Sequence, residues 1–493
     1  MTERETGTNW TRGVSAALTI FACTISGGLL TLPSVFKDAT IGPALLLMLL
    51  SAITTTFSLV ALVECAAADK NVQSYSTLVS SRGRCSARWM DGIIGLFLTG
   101  VAGSSIIVVR DFLTQEIQSY PAVADGATAM VGLCIALLSL PSSMGALVHA
   151  ATASTVAFCF LVFTFMWYGA HEMTSATCQP EWWPNGDSPV ASKMGSALPI
   201  LLYAFGCQFQ MFDIYQSWKD DGGDGAVSLF LPVIIAAVLL MTVLFSIVGV
   251  FGVYSFPDEQ TISGDVLQML ARKGQLGAVA RVLLVIAVCV ASPIVIIIAR
   301  SSLASSLGIV GSGGHSGDRQ QLDRDNGDSH QLCHNGFGQQ LSDDGHELSA
   351  NADGQEPPRP RRGSFIDHLQ ETEDSQQLSA KQRVGMTLAI TCVATSLALA
   401  RVDFLIVIGA MGAFFCPPLL YIVPGVALLK MSHQEGRHQL LEPEDELEAA
   451  TEVKHNRGVG DSLGSSCAAM VMGTWLIGFG SASYGIGIWA FFN

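Results

Sequence analysis

The chain has 493 residues, of which 50% are apolar and only 14% are charged, whereas about 25% of the residues of a soluble domain are charged. This composition excludes an ordinary water-soluble enzyme, because soluble domains stop enlarging a single core beyond roughly 250–300 residues. The formal net charge of −15 excludes a general binder of nucleic acid, which needs a basic face.

Apolar stretches near the roughly 20 residues that a membrane-spanning helix needs recur from the N-terminus onward. The sequence predicts eleven spans, at 14–36, 41–67, 92–109, 129–141, 148–170, 195–217, 228–253, 279–300, 384–400, 404–429 and 465–491. The chain is therefore predicted to be an all-α integral membrane protein whose apolar side chains face the lipid bilayer.

Basic residues concentrate on one side of these spans. When the spans are traced alternately across a bilayer, 19 of the 26 Lys and Arg residues fall on the side of the N-terminus. Cytoplasmic flanks carry such an excess, so the N-terminus is predicted to be cytoplasmic. The sequence leaves open whether the membrane is the plasma membrane or that of an acidic organelle, such as a vacuole or lysosome.

Two polar, acidic segments interrupt the membrane body and carry most of the negative charge. Both fall on the side of the N-terminus, so they are predicted to be cytoplasmic. The longer one is rich in residues that cannot build a core, so it is predicted to be disordered. The predicted organisation is a tail at 1–13, spans one to eight within 14–307, a disordered loop at 308–382, spans nine and ten within 383–431, a second loop at 432–462 and span eleven within 463–493.

The first span contains the sequence SGGLLTLP at 26–33. Paired glycines weaken a helix and Pro33 removes an intrahelical hydrogen bond, so the helix is predicted to break here. Unwound backbone within a membrane can receive a carboxylate on its N–H groups or a cation on its carbonyl groups. The alternative is close helix packing through small residues.

The sixth span carries a second interruption, AFGCQ at 204–208, followed by Asp213. Interrupted helices at corresponding positions of two halves are typical of transporters built from inverted repeats. Phe205 either covers a substrate or packs among helices. Asp213 either binds a cationic group or a coupling proton, or it lies solvated at the membrane interface near Lys219.

The eighth span offers two further candidates for coupling, Cys289 and Ser292, beside Pro293. A serine next to a proline presents a hydroxyl group and a freed carbonyl group to a small cation, or it bonds to its own helix. In the long loop, His330, Cys333 and His334 have no fourth partner for zinc. No metal, cofactor or catalytic residue is therefore predicted, and the chain is not expected to be an enzyme.

Several segments together resemble the amino acid/auxin permease family, an amino acid transporter family of the transmembrane-domain type. The resemblance rests on their order and spacing and covers nearly all of the membrane body but not 308–382. The segments are 26–33, Phe36 and Lys37, 197–200, 204–207, 214–215, 258–267, 281–302 and 409–430.

The family resemblance implies eleven transmembrane helices in a five-plus-five inverted repeat with broken helices 1 and 6, plus one extra helix. The substrate carboxylate would meet backbone near 26–28 and its ammonium group would meet carbonyl groups near 204–206. The implied substrate-binding residues are Thr24, Ser26, Gly27, Gly28, Ser105, Ala204, Phe205, Gly206 and Gln208.

This chain departs from the family pattern at its coupling positions. Sodium-coupled members have Asn in the first span and Thr in the eighth. The aligned positions here are Thr19 and Ala22 in the first span and Cys289 and Ala291 in the eighth, and the His of many members is Gln208. The leading prediction is a proton-coupled or facilitative amino acid transporter that works by alternating access. The alternative is an amino acid sensor that signals through its cytoplasmic loop.

Overall fold

The structure is a computed structural model that describes most of the chain. The described residues are 3–24, 27–69, 72, 74–80, 84–117, 119–140, 145–175, 180–184, 190–220, 227–256, 266–309, 378–441 and 466–492. Ser26 lies outside them, as do the three His and Cys residues considered for zinc and most of the two acidic loops. The sensor hypothesis depends on the longer of those loops.

The described part of the chain is helical and contains no β-strand. In chain order the helices are α1 (Glu3–Thr24), α2 (Leu32–Asp38), α3 (Ile41–Ala68), α4 (Tyr75–Ser80), α5 (Arg84–Glu116), α6 (Pro121–Leu138), α7 (Gly145–Ser175), α8 (Val190–Ala204), α9 (Met211–Asp220), α10 (Val227–Ser255), α11 (Val266–Lys273), α12 (Gln275–Ser306), α13 (Ala380–Leu399), α14 (Phe404–Ala410), α15 (Val423–Leu441) and α16 (Ser466–Phe492).

Ten helical segments among the described residues are long and apolar enough to cross a membrane. They are Ile41–Ala68, Ala87–Glu116, Pro121–Leu138, Ser154–Thr174, Lys193–Lys219, Leu229–Ser255, Gln275–Ser306, Ala380–Leu399, Phe404–His433 and Ala468–Phe492. These confirm the second to eleventh predicted spans. The first predicted span does not meet the same length criterion, because its continuous apolar helix is only Gly13–Ala22. The count of eleven spans therefore stays a prediction.

The first and sixth spans are both interrupted, as the sequence predicts. In the first, α1 ends at Thr24 and a 3₁₀ turn, Gly27–Thr31, leads into α2. Pro33 occupies the first turn of α2, where its missing N–H costs nothing. In the sixth, α8 ends at Ala204 and a short 3₁₀ turn, Gln208–Gln210, leads into α9.

Polar anchors fasten α5, α12 and α13 together. At one end, Arg110 on α5 donates to the carbonyl oxygen of Ala398, in the last turn of α13, at 2.8 Å. At the other, the fully buried Arg300 on α12 donates to the Ser139 carbonyl oxygen at 2.9 Å and to the Thr387 hydroxyl at 3.0 Å. Hydrogen bonds offset the cost of burying a charged group, so these two residues hold this group of helices in register.

The tenth span is an α-helix interrupted by π turns. Met411–Phe415 and Pro417–Ile422 form i→i−5 bonds, with the N–H of Cys416 donating to Met411 and that of Val423 to Pro418. This wider helix contacts both α8 and α16. No feature considered in the sequence predicts these π turns.

Candidate functional site

The two helix breaks lie directly against one another. A Cβ atom built on Gly28 would lie 2.8 Å from the ring of Tyr203 and 3.1 Å from the Cα of Ala204. Only a glycine permits this approach, because real Cβ contacts under 3.0 Å are essentially absent. The packing of the two breaks brings together two of the predicted substrate-binding residues, Gly28 and Ala204.

The freed backbone groups of both breaks are partly satisfied locally. In the first, the hydroxyl of Thr31 donates to the Gly28 carbonyl oxygen at 2.7 Å. In the sixth, the N–H groups of Phe205 and Gly206 donate to Leu201 and Tyr203 at 3.2 and 3.1 Å. Thr31 was not among the predicted site residues, although it stands inside the 26–33 motif.

Gln208 is the polar side chain that the sixth break buries. Its exposed fraction is 0%, and neither its Nε2 nor its Oε1 atom has a hydrogen-bond partner within the described residues. A buried amide without partners costs about 1–3 kcal/mol. Within the described residues, this side chain therefore retains one donor group and one acceptor atom that a ligand could satisfy.

An aromatic cluster adjoins Gln208. It consists of Tyr75, Phe97, Tyr203, Phe209, Phe212 and Phe415, with centroid distances from 5.1 Å, between Phe97 and Phe209, to 6.1 Å, between Phe97 and Tyr203. Burial raises the pKa of the Tyr75 phenol well above its ordinary value, so the hydroxyl is neutral. Sequence reasoning missed Tyr75 because it lies in a polar linker without apolar periodicity.

Asp213 lies on α9, one turn beyond the sixth break, and is partly exposed. Its carboxylate has no ion-pair or hydrogen-bond partner among the residues that the structure describes. Lys219 is 5.4 Å from the ring of Tyr215 and so is engaged there. A carboxylate of this kind can hold a proton or pair with a cation that arrives from solution.

Of the two candidates in the eighth span, Ser292 has its hydroxyl engaged within the helix, and Cys289 has a carbonyl group freed by Pro293. The hydroxyl of Ser292 is buried and donates to the Val288 carbonyl oxygen at 2.6 Å, within its own helix. Pro293 lies inside α12 and has no N–H to offer the Cys289 carbonyl group one turn before it. The local arrangement places a freed carbonyl group, rather than a serine hydroxyl, beside the proline.

The remaining predicted residues occupy distinct environments. Phe205 is fully buried and packs edge-on against Phe245 of α10 at 5.5 Å, an arrangement that favours a packing role. The hydroxyl of Thr24 donates to Phe21 within α1 at 2.7 Å, and that of Ser105 donates to Val101 within α5 at 3.1 Å. Helix α5, which carries Ser105, contacts the 3₁₀ turn of the first break.

The chain matches a protein-family model whose description is "Transmembrane amino acid transporter protein" over residues 8–440. No curated protein sequence matches it. Among solved structures, the manganese transporter of Eremococcus coleocola, in complex with an aromatic bis-isothiourea compound, is 11% identical with a TM-score of 0.45, over 99% of this chain and 96% of that chain.

Two further solved structures are similar at comparable distance. A nucleobase-cation-symport-1 family transporter in a closed conformation is 10% identical with a TM-score of 0.37, over 96% of this chain and 93% of that chain. A Na⁺-coupled sialic acid symporter in an outward-open state is 12% identical with a TM-score of 0.33, over 97% of both chains. Likenesses this distant assign neither a substrate nor a coupling ion to this chain.

Proposed function

Because the chain belongs to the transmembrane amino acid transporter family, we propose that it carries amino acids across a membrane by alternating access. It is a multi-pass integral membrane protein and not an enzyme. The proposal includes a five-plus-five inverted repeat with broken helices 1 and 6, an eleventh helix and a cytoplasmic N-terminus. The segments 308–382 and 432–462 are then cytoplasmic loops, and the membrane is the plasma membrane or that of an acidic organelle.

The observation that carries the proposal is the amide of Gln208 within the sixth break, which is buried and has no hydrogen-bond partner among the described residues. A membrane protein has no water in the hydrocarbon region to satisfy such a group. A polar substrate that binds at the break supplies the missing hydrogen bonds and regains the cost of burial. A substrate site requires unsatisfied polar groups at a helix break, whereas simple packing of helices does not.

The proposed orientation of the substrate follows from the chemistry of the two breaks. The carboxylate of an amino acid binds at the N–H groups near 26–28, where a new helix begins, and its ammonium group binds at carbonyl groups near 204–206. The end of a helix where N–H groups are free favours an anion, and freed carbonyl groups favour a cation. The proposed site also includes Thr24 on α1 and Ser105 on α5.

Proton coupling, where transport is coupled, runs through Asp213. This carboxylate is the unpartnered ionisable group nearest in sequence to the sixth break, and an unpaired carboxylate within a span is costly unless it is used. Sodium coupling is disfavoured because the Ser292 hydroxyl donates a hydrogen bond to the Val288 carbonyl group of its own helix. The freed carbonyl of Cys289 alone is too few ligands for a cation.

The test is an uptake panel in proteoliposomes with radiolabelled neutral, cationic and acidic amino acids and one polyamine. Each substrate is measured with and without an imposed proton gradient, and with sodium or potassium as the bath cation. We expect saturable uptake of a subset of amino acids that does not depend on sodium. Empty liposomes are the control. Absence of accumulation for every amino acid and the polyamine would overturn the proposal.

A further inference from the structure

Helix α4 (Tyr75–Ser80), between the second and third spans, is short and polar, yet its first residue packs against aromatic rings of the sixth span. Tyr75 is only 4% exposed. Its ring centroid lies 5.5 Å from that of Phe209 and 5.6 Å from that of Phe212, which it meets edge-on. A linker helix that only joined two spans would have no reason to bury its first aromatic residue against a third.

The opposite face of α4 is fastened to α5 and α12. The carboxylate of Asp91 on α5, which is 8% exposed, accepts hydrogen bonds from Ser76 on α4 and from Ser305 on α12. The start of α4 is closed by Ser74 and Thr77, whose side chains each accept the other's backbone N–H. Helix α4 is therefore a rigid part of the group formed by α5 and α12, and Tyr75 projects from α4 onto α9.

The contact continues into one aromatic layer. Phe97 on α5 lies 5.1 Å from Phe209 and 6.0 Å from Phe415 of the tenth span, measured between ring centroids. The layer thus joins α4, α5, the segment after the sixth break and the tenth span immediately beside Gln208. With the N-terminus on the inner side, this layer lies on the inner side of both helix breaks.

We propose that Tyr75 is the inner gate of the transport path and that this structure has the gate closed. The inference rests on the proposed transport by alternating access. Opening toward the inside requires α9 to move away from the group formed by α5 and α12. The contacts of Tyr75 with Phe209 and Phe212 cross between the two, as does that of Phe97 with Phe209, and they must break in that movement.

The hydroxyl of Tyr75 then sets the balance of the gate. In the described residues it has no hydrogen-bond partner while the ring is buried, which disfavours the closed state. When the gate opens, water reaches the hydroxyl and satisfies it. A phenylalanine at this position keeps the ring contacts without the penalty, so it should hold the gate closed more of the time.

The test measures how readily Cys207, which is 1% exposed in the sixth break, is labelled from the inner face. Full-length protein in inside-out vesicles is treated with a membrane-impermeant maleimide, and the labelled fraction of Cys207 is quantified by peptide mass spectrometry. The variants are Tyr75→Ala, Tyr75→Phe and the control Tyr120→Ala, because Tyr120 is 67% exposed at the start of α6.

We expect Tyr75→Ala to raise the labelling rate by about tenfold, Tyr75→Phe to lower it below wild type and Tyr120→Ala to leave it unchanged. Opposite shifts from one residue cannot come from general loosening of the fold. Where Tyr75→Ala fails to fold, a lower rate in Tyr75→Phe supports the gate and an unchanged rate overturns it. Labelling does not require uptake: a chain that moves no amino acid but shows both shifts has the gate and lacks the proposed function.

Discussion

The Cα of Gly412 in the tenth span lies against the backbone carbonyl of Pro199 in the sixth. A Cβ atom built on Gly412 would lie 2.0 Å from that carbonyl oxygen. Gly487 of α16 reaches the same point, since its Cβ would lie 3.1 Å from the Cα of Ala413 and 3.3 Å from Pro199. Three spans therefore meet through two glycines just above the sixth break.

Gly412→Ala should destabilise the protein, because helix backbones cannot separate by the necessary distance without opening the packing around Pro199. We expect a loss of about 1–3 kcal/mol, measured as a lower melting temperature in lipid nanodiscs. Gly409→Ala is the matched control: its Cβ meets nothing within 4 Å, and alanine is favoured over glycine in a helix by about 1 kcal/mol. Equal melting temperatures for the two variants would contradict this account.

Gln208→Met should separate stability from transport. Methionine has a similar shape but no polar atoms to leave unsatisfied, so we expect the protein to gain about 1 kcal/mol. The same change removes the hydrogen bonds offered to substrate, so the apparent KM for uptake should rise by roughly tenfold or more. Gln216→Met, on the partly exposed side of α9, should change neither quantity. A Gln208→Met protein with normal KM would show that the amide does not contact substrate.

Asp213→Asn should abolish the response of uptake to a proton gradient while exchange of internal for external substrate continues. The amide cannot bind and release a proton, yet it occupies nearly the same volume. The measurement compares initial uptake rates at equal and unequal pH across the proteoliposome membrane. Asp125→Asn is the control, because Asp125 forms an exposed pair with Arg401 at 3.3 Å. If the Asp213→Asn protein still responds to the gradient, another group carries the proton.

Arg300→Met should lower stability by about 2–4 kcal/mol, because the buried Ser139 carbonyl and Thr387 hydroxyl lose their shared donor. Its control is Arg401→Met, since the Arg401 side chain is 63% exposed and an exposed pair contributes about 0–1 kcal/mol. Both are followed as melting temperatures. A Thr387→Val background should reduce the loss caused by Arg300→Met, because one of the two acceptors has already been removed.

The positions of the spans could be predicted because lipid demands long apolar helices and the sequence displays them directly. Their ends could not. Helix α5 extends from Arg84 to Glu116 instead of 92–109, because Asp91 and Arg110 are paired with neighbouring helices that a local reading does not see. Helix α6 begins at Pro121, earlier than the predicted 129, and its additional N-terminal residues include Asp125, which pairs with Arg401.

Within the candidate site, the breaks could be predicted and their surroundings could not. Gly28 and Pro33 disfavour a continuous helix by their own chemistry, so the sequence indicates the interruption. That Gln208 lacks a partner, or that Tyr75 packs on Phe209, depends on contacts between residues far apart in the chain. The same limit applies to Phe205, whose neighbour Phe245 decides its packing.

The π turns of the tenth span place an extra residue in a transmembrane helix. Each added residue rotates everything that follows by about 100° around the helix axis. Tyr421, within the second π turn, forms a hydrogen bond with Thr55 across the bundle at 3.2 Å. The π turns therefore accommodate an inserted residue within the span. Shortening it by one residue would turn the whole half-helix beyond Pro417 toward different neighbours.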